Sequence, residues 1–323
     1  MNKFQKKLNS IFNNEKILFE RNFVSLINAS SHINQEQTNQ IFTEKWNKYD
    51  NSDNKNNLFE FQKKWYLHLY GFNNEHELAI YLQQCEVILD AGCGLGYKAD
   101  WFAQLAPNSL IIGMDFSGSA KQASINYSFR ENLFFIQSDI AKTGLKEETI
   151  DYVSCDQVIM HTENPDDTFA ELCRITKNHG QVACYFYAQK ALPRELLDDH
   201  FRTKCLQMSK EELWELSKQV TELGRTLSNL NIEITVPEIK ALNIKAGKYD
   251  IQRFIYWNFL KCFWNEQLGE DTSIITNFDW YSPSNAKRYN ELEINEYLMK
   301  NDLTKLYFHK EEACFSGRFG KCN

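Results

Sequence analysis

The chain has 323 residues, 43% of them apolar and 24% charged, a balance that suits a globular protein with a substantial core, in one large domain or two modest ones. Its formal net charge of −7 argues against a general nucleic-acid binder, which presents a basic face, so no nucleic-acid partner is expected. No window approaches the roughly 18 consecutive apolar residues of a membrane span, and Met1 to Glu20 is rich in Lys and Asn without an apolar signal segment.

Residues 1–84 are rich in Asn, Lys, Gln and aromatics, and Phe61, Trp65, Tyr66 and Leu69 recur at helical offsets. This stretch is expected to form a helical cap, with an exposed loop at 51–57. From Glu86 the texture changes. Val87-Ile88-Leu89-Asp90, Leu110 to Asp115, Asn132 to Ile136, Ile150 to Val153 and Gly180 to Phe186 are short apolar runs, with helical patterns such as Phe169 to Thr176 between most of them. Such alternation predicts a doubly wound α/β fold with a mostly parallel sheet covered on both faces.

Residues 191–287 interrupt the alternation and are expected to form a helical insertion. Ser209-Lys210-Glu211-Glu212 is a capping box opening a helix with an apolar stripe from Leu213 to Leu230. A second, largely apolar helix is predicted over Tyr249 to Trp264. A helix over Glu291 to Met299 and two closing strands, Lys305 to His309 and Ala313 to Gly317, bring the strand count to seven. The predicted units are therefore 1–84, 85–190 with 288–323, and 191–287. Nine cysteines are scattered without a C-x-x-C pair, implying reduced thiols in a cytoplasmic setting, with neither disulfides nor a metal site.

Asp90-Ala91-Gly92-Cys93-Gly94-Leu95-Gly96 joins a predicted strand to a predicted helix. Glycines there permit positive φ and close approach of the backbone to a ligand. Dinucleotide enzymes use a similar turn, but here the third glycine follows the second by two residues, and Asp90 precedes the first. A carboxylate at that place would repel a pyrophosphate held at the helix N-terminus and suits a cationic ligand without phosphate.

Val87 to Gly96 resembles motif I of the class I S-adenosylmethionine-dependent methyltransferases, and the domain looks like that of their type 11 subgroup, which implies a Rossmann-like domain over the predicted sheet. By that resemblance Asp90, Gly92, Gly94 and Gly96 belong to the cofactor site, and Asp115 grips the ribose hydroxyls. Gln137-Ser138-Asp139-Ile140 is similar to the adenine-binding segment. Asp139 would accept from the adenine amino group, with Ile140 and Met114 or Phe116 against the ring. Gln157 to Thr162 resembles the floor beneath the sulfur.

His161 is the candidate base or acceptor-orienting group, with a purely structural role equally open. Arg253, Tyr256, Trp257, Trp280 and Tyr281 are candidate acceptor contacts, in a segment that also carries Asn258, Lys261, Trp264, Asn265 and Asp279. The same aromatic cluster could be ordinary core. Trp46 and Tyr49 could cover the donor from the N-terminal side. The function implied is in-line transfer of a methyl group to oxygen or nitrogen of a small molecule. Carbon methylation of a quinone-like precursor, a nicotinamide-dependent oxidoreductase and a non-catalytic cofactor-binding protein are the alternatives, and Asp90 with the short glycine spacing speaks against the oxidoreductase.

Overall fold

The computed structural model describes residues 2–13, 17–27, 33–50 and 55–321. In chain order, the elements that precede the glycine turn are α1 (Lys3–Ser10), β1 (Phe23–Ser25), α2 (Ile33–Asp50), α3 (Lys55–Tyr70), α4 (Glu75–Gln83) and β2 (Val87–Ala91). The alternating part follows as α5 (Tyr97–Leu105), β3 (Leu110–Asp115), α6 (Ser119–Asn126), β4 (Leu133–Gln137), β5 (Ile150–Cys155), α7 (Pro165–Ile175) and β6 (Thr176–Tyr187). The insertion holds α8 (Leu192–Cys205), α9 (Lys210–Asn229), β7 (Glu233–Val236), β8 (Gly247–Asp250), α10 (Ile251–Asn258) and α11 (Gly269–Tyr281). The chain closes with α12 (Glu291–Lys300), β9 (Leu303–Lys310) and β10 (Cys314–Lys321).

The main sheet has the order β1-β4-β3-β2-β5-β6-β10-β9, and only β10 runs against the others. It has eight strands where seven were expected, because Phe23–Ser25 pairs in parallel with Phe135–Gln137 on the edge of β4. The cap is thus not purely helical, and α3 begins inside the segment expected as loop, whose residues 51–54 lie outside the described residues. All five residues of β2 are buried, and β3 to β5 are nearly so, as expected for strands covered on both faces. The chain winds outward from β2 through β3 and β4, then returns to place β5 on the other side of β2. The carboxyl ends of β2 and β5 therefore diverge at a topological switch point, the place where open α/β sheets hold ligands.

The capping box at Ser209 and Glu212 forms as expected and starts α9. The insertion also contains the β7–β8 hairpin, and the helix expected to reach Trp264 stops at Asn258. Beyond it the chain is irregular, and side chains satisfy its backbone. Gln252 Nε2 donates to the Cys262 carbonyl (2.8 Å), Tyr281 Oη to the Lys261 carbonyl (3.1 Å), and Asn277 exchanges two hydrogen bonds with Phe263 (2.9 and 3.0 Å). Gly224 lets α9 approach this stretch, since a Cβ there would lie 2.3 Å from the Cys262 oxygen. Insertion and cap close over the same sheet edge. Trp214 on α9 stacks on Phe278 of α11 at 3.7 Å between ring centroids and donates from Nε1 to Glu44 on α2 at 2.6 Å.

Candidate active site

The glycine turn is shaped by backbone conformation and by what packs on it. Gly92, Gly94 and Gly96 have φ of +79°, +52° and +79°, a region that L side chains avoid. A Cβ on Gly92 would lie 2.2 Å from the Val158 side chain, and one on Gly94 would lie 2.7 Å from the Trp46 indole. Gly96 starts α5 and allows it to sit against Phe135. Of the three, Gly92 lines the large cavity above the sheet edge.

Asp115, at the carboxyl end of β3, is fixed by the same turn. Its Oδ2 accepts from the Gly94 N–H at 2.8 Å, and its Oδ1 accepts from the Ser117 N–H at 2.8 Å and the Ser117 hydroxyl at 2.6 Å. Burial raises its pKa, and the Ser117 and Gly94 hydrogen bonds work against that rise. A carboxylate oxygen with one donor retains acceptor capacity, so this group can meet a vicinal diol from the cavity it lines.

Asp90 stands elsewhere. Its side chain is wholly buried and absent from the cavity wall. Lys98 of α5 reaches back beneath the turn, with Nζ 3.1 Å from Asp90 Oδ1 and 3.3 Å from Asp156 Oδ2. Burial pushes the Asp90 carboxyl up to about 6, with Lys98 opposing the rise. Burial also works against the Lys98 ammonium, but Asp156 and Asp90 more than offset it and lift it above the ordinary lysine range. Asp156 accepts a further hydrogen bond from Tyr70 at 2.8 Å. Asp90 is thus set behind the cavity wall against Lys98, and because Asp156 shares that one ammonium the cluster keeps an excess negative charge beneath the turn. The carboxylates on the cavity wall of the turn are Asp115, Asp139 and Asp156.

Beyond the glycine turn, the other expected cofactor residues do meet there. Phe116, Asp139, Ile140 and Gln157 all line the cavity with Asp115. Asp139 accepts from the Ala141 N–H at 2.8 Å, an Asx turn that fixes its carboxylate. Gln157 is held at φ +62°, a strained conformation for a residue with a side chain, right after β5. His161 is buried and lies on the wall, its ring edge-on to Phe42 and to Tyr187 with centroids 4.8 and 5.4 Å away. Its Nδ1 lies 2.7 Å from the Asn285 carbonyl oxygen, which assigns the proton to Nδ1, and its Nε2 lies 3.4 Å from the Tyr187 hydroxyl.

The insertion supplies the rest of the same cavity. Arg253, Tyr256, Trp257 and Trp280 line it, and Tyr281 does not, since it is buried behind as the support of Lys261. Trp46 lines it from α2, while the Tyr49 side chain lies outside the described residues. Several wall residues carry no motif and escaped the sequence reading: Tyr185, Tyr187, Lys190 and Arg194, from the end of β6 into α8. Arg194 is wholly buried and paired with Asp198 at 2.7 Å, and it also donates to the Tyr256 carbonyl. Lys190 donates to the carbonyls of Ala188 and Ala313. Burial, with repulsion from Arg194, pushes both Lys190 and Lys261 down to about 7.

Residues 82–243, half of the chain, match the family model described as a methyltransferase domain. An uncharacterized methyltransferase of Schizosaccharomyces pombe is 29% identical over 113 residues, which is 32% of this chain and 41% of that protein. Sterol 24-C-methyltransferase of Saccharomyces cerevisiae is 26% identical over 35% of this chain and 30% of its own length. Demethylmenaquinone methyltransferase of Staphylococcus epidermidis is 26% identical over 177 residues, 51% of this chain and 66% of its own. The chain thus spans between about a third and two thirds of these relatives. With the turn, Asp115 and the switch-point cavity in place, the chain belongs to the class I S-adenosylmethionine-dependent methyltransferase family, and S-adenosylmethionine is its cofactor.

Proposed function

We propose that the protein transfers the methyl group of S-adenosylmethionine to oxygen or nitrogen of a small acceptor held between the sheet edge and the insertion. The observation that carries this reading is a single cavity of about 420 Å³ whose wall includes both Gly92, Asp115 and Asp139 and, from the insertion, Tyr256, Lys261 and Trp280. A donor and an acceptor can meet there shielded from bulk water.

The residues fit the cofactor. Gly92 brings bare backbone to the cavity wall, with Val158 packed where a Cβ would lie, Asp115 presents a fixed carboxylate for the ribose hydroxyls, and Asp139 an acceptor for the adenine amino group, with Phe116 and Ile140 as apolar walls. Bound, S-adenosylmethionine supplies an electrophilic methyl group on sulfur, open to in-line displacement. Gln157 shapes the floor of this site. His161, with its proton on Nδ1 held by Asn285, keeps Nε2 as the proton acceptor, and Tyr187 stands next to it to carry the proton of an acceptor hydroxyl or amine. Aromatic rings at Trp46, Tyr187 and Trp280 narrow the space and favour alignment over diffusion.

Carbon methylation of a quinone-like precursor is the second reading, favoured by the likeness to the demethylmenaquinone enzyme. A quinone's lipid tail would call for the continuous apolar helix predicted over Tyr249 to Trp264, but that helix ends at Asn258, and Lys261 follows on the cavity wall, which favours a polar acceptor. Incubation of the purified protein with methyl-labelled S-adenosylmethionine and fractionated extract of the source cells tests both. Label recovered by mass spectrometry on oxygen or nitrogen of a small molecule supports the first reading, label on ring carbon the second, and no labelled small molecule rejects both.

A further inference from the structure

From Tyr185 onward, the cavity wall carries four cationic side chains, Lys190, Arg194, Arg253 and Lys261, and one carboxylate, Asp279. Arg194 is matched by Asp198 behind the wall. Arg253 donates to the Trp264 carbonyl at 3.3 Å and lies over the rings of Tyr256 and Phe263. Lys261 is 7% exposed, and its ammonium has no hydrogen-bond or ion-pair partner among the described residues. What it has are ring faces, Trp280 at 4.3 Å and Tyr256 at 5.9 Å from the centroids.

Ring faces offset only part of the cost of taking an ammonium out of water. A pocket that keeps an unmatched lysine against a cavity, beside a second buried lysine and an arginine, is short of negative charge. We propose that the methyl acceptor carries an oxyanion, a carboxylate or a phosphate, which seats against Lys261 and Lys190 while its flat or apolar body lies between Tyr256, Trp257 and Trp280. This rests on the methyl-transfer reading of the cavity. It narrows the acceptor from any small molecule to an anionic one.

The charged groups around Lys261 are Arg194 and Asp198 on α8, Asp279 on α11, and Lys190 from the segment before α8. An oxyanion adds a negative charge to this set, so its binding must raise the affinity of the lysines for protons. Proton uptake on binding is therefore part of the same proposal.

The protein, saturated with S-adenosylhomocysteine, is titrated calorimetrically with benzoate, phenyl phosphate and the neutral benzamide. The expected result is that an anion binds about tenfold or more tighter than benzamide, which of the two doing so naming the oxyanion. Lys261→Met should erase that preference and leave S-adenosylhomocysteine affinity within about twofold, which also shows that the variant folds. Wild-type titrations of the anion in two buffers of different ionisation enthalpy at pH 8 should show proton uptake. Equal binding of anions and benzamide, a preference that survives Lys261→Met, or absence of proton uptake would overturn the proposal. So would equal loss of S-adenosylhomocysteine affinity, because the lysine would then serve the donor's own carboxylate. Failure of methyl transfer with intact anion binding would instead reject the enzymatic reading alone.

Discussion

The ammonium of Lys98 lies 3.1 Å from Asp90 Oδ1 and 3.3 Å from Asp156 Oδ2, and all three side chains are buried. One cation thus holds two carboxylates at the switch point, and with them the ends of β2 and β5. Lys98→Met leaves both carboxylates buried without a counter-charge. It should destabilise the fold by about 3–5 kcal/mol, measured by urea unfolding at pH 7. A loss below about 1 kcal/mol would mean that water reaches the pair.

Asp115 is held by Gly94 and Ser117 without being consumed by them. Removing a charged acceptor from a diol costs about 2 kcal/mol or more, so Asp115→Ala should weaken S-adenosylhomocysteine roughly 30-fold or more. Calorimetric affinity unchanged by the substitution would detach the ribose from this residue.

His161 and Tyr187 divide between catalysis and support according to how their variants behave. If Nε2 takes the acceptor's proton, His161→Ala should lower kcat about 100-fold or more with S-adenosylhomocysteine affinity nearly constant. Tyr187→Phe should lower kcat less, since it removes only the hydroxyl 3.4 Å from Nε2. Parallel loss of affinity and turnover in His161→Ala would make the ring a packing element against Phe42.

Lys261 gives a stability signature that needs no substrate. Its pKa falls from the lysine range to about 7 on folding, chiefly through burial. Folding therefore favours the neutral form, and the stability this offers is present at high pH and lost as pH falls from the unfolded value toward 7. Lys261→Met removes the penalty. The ligand-free variant should show a higher Tm than wild type at pH 6, by calorimetry, and the gain should shrink toward pH 9. A gain independent of pH would assign it to packing rather than charge.

The legible parts of the sequence are those where burial leaves little choice of residue. β2 to β6 read clearly because strands covered on both faces are apolar runs, while Asp115 and Asp139 are singled out by the family resemblance and lie on the cavity wall at the carboxyl ends of β3 and β4. β1 is three residues long and gains its place only by pairing with β4, so no local pattern announces it. The hairpin β7–β8 is largely exposed and only four residues long on each side, and the short alternation of Ile234 and Val236 with Glu233 and Thr235 is a strand signal that the sequence reading missed. The stretch after Asn258 is aromatic on all sides, as a buried helix would be. It is instead an irregular segment whose backbone is satisfied by Gln252, Asn277 and Tyr281, partners up to 20 residues away. A carboxylate just before the glycine turn points to a cationic ligand without phosphate, and that argument sets Asp90 beside the ligand. Lys98, eight residues on and in the first turn of α5, meets it instead, and only three-dimensional placement reveals that contact. Lys190 and Arg194 have no motif for the same reason, since their meaning depends on the cavity that they share with Lys261.

The most direct test of the account is a crystal structure of the S-adenosylhomocysteine complex. The account predicts the ribose hydroxyls within hydrogen-bonding distance of Asp115 and the adenine beside Asp139, with the sulfur turned toward the chamber of His161, Tyr187 and Lys261. An adenosyl group bound away from Asp115, or a sulfur facing away from that chamber, would contradict it.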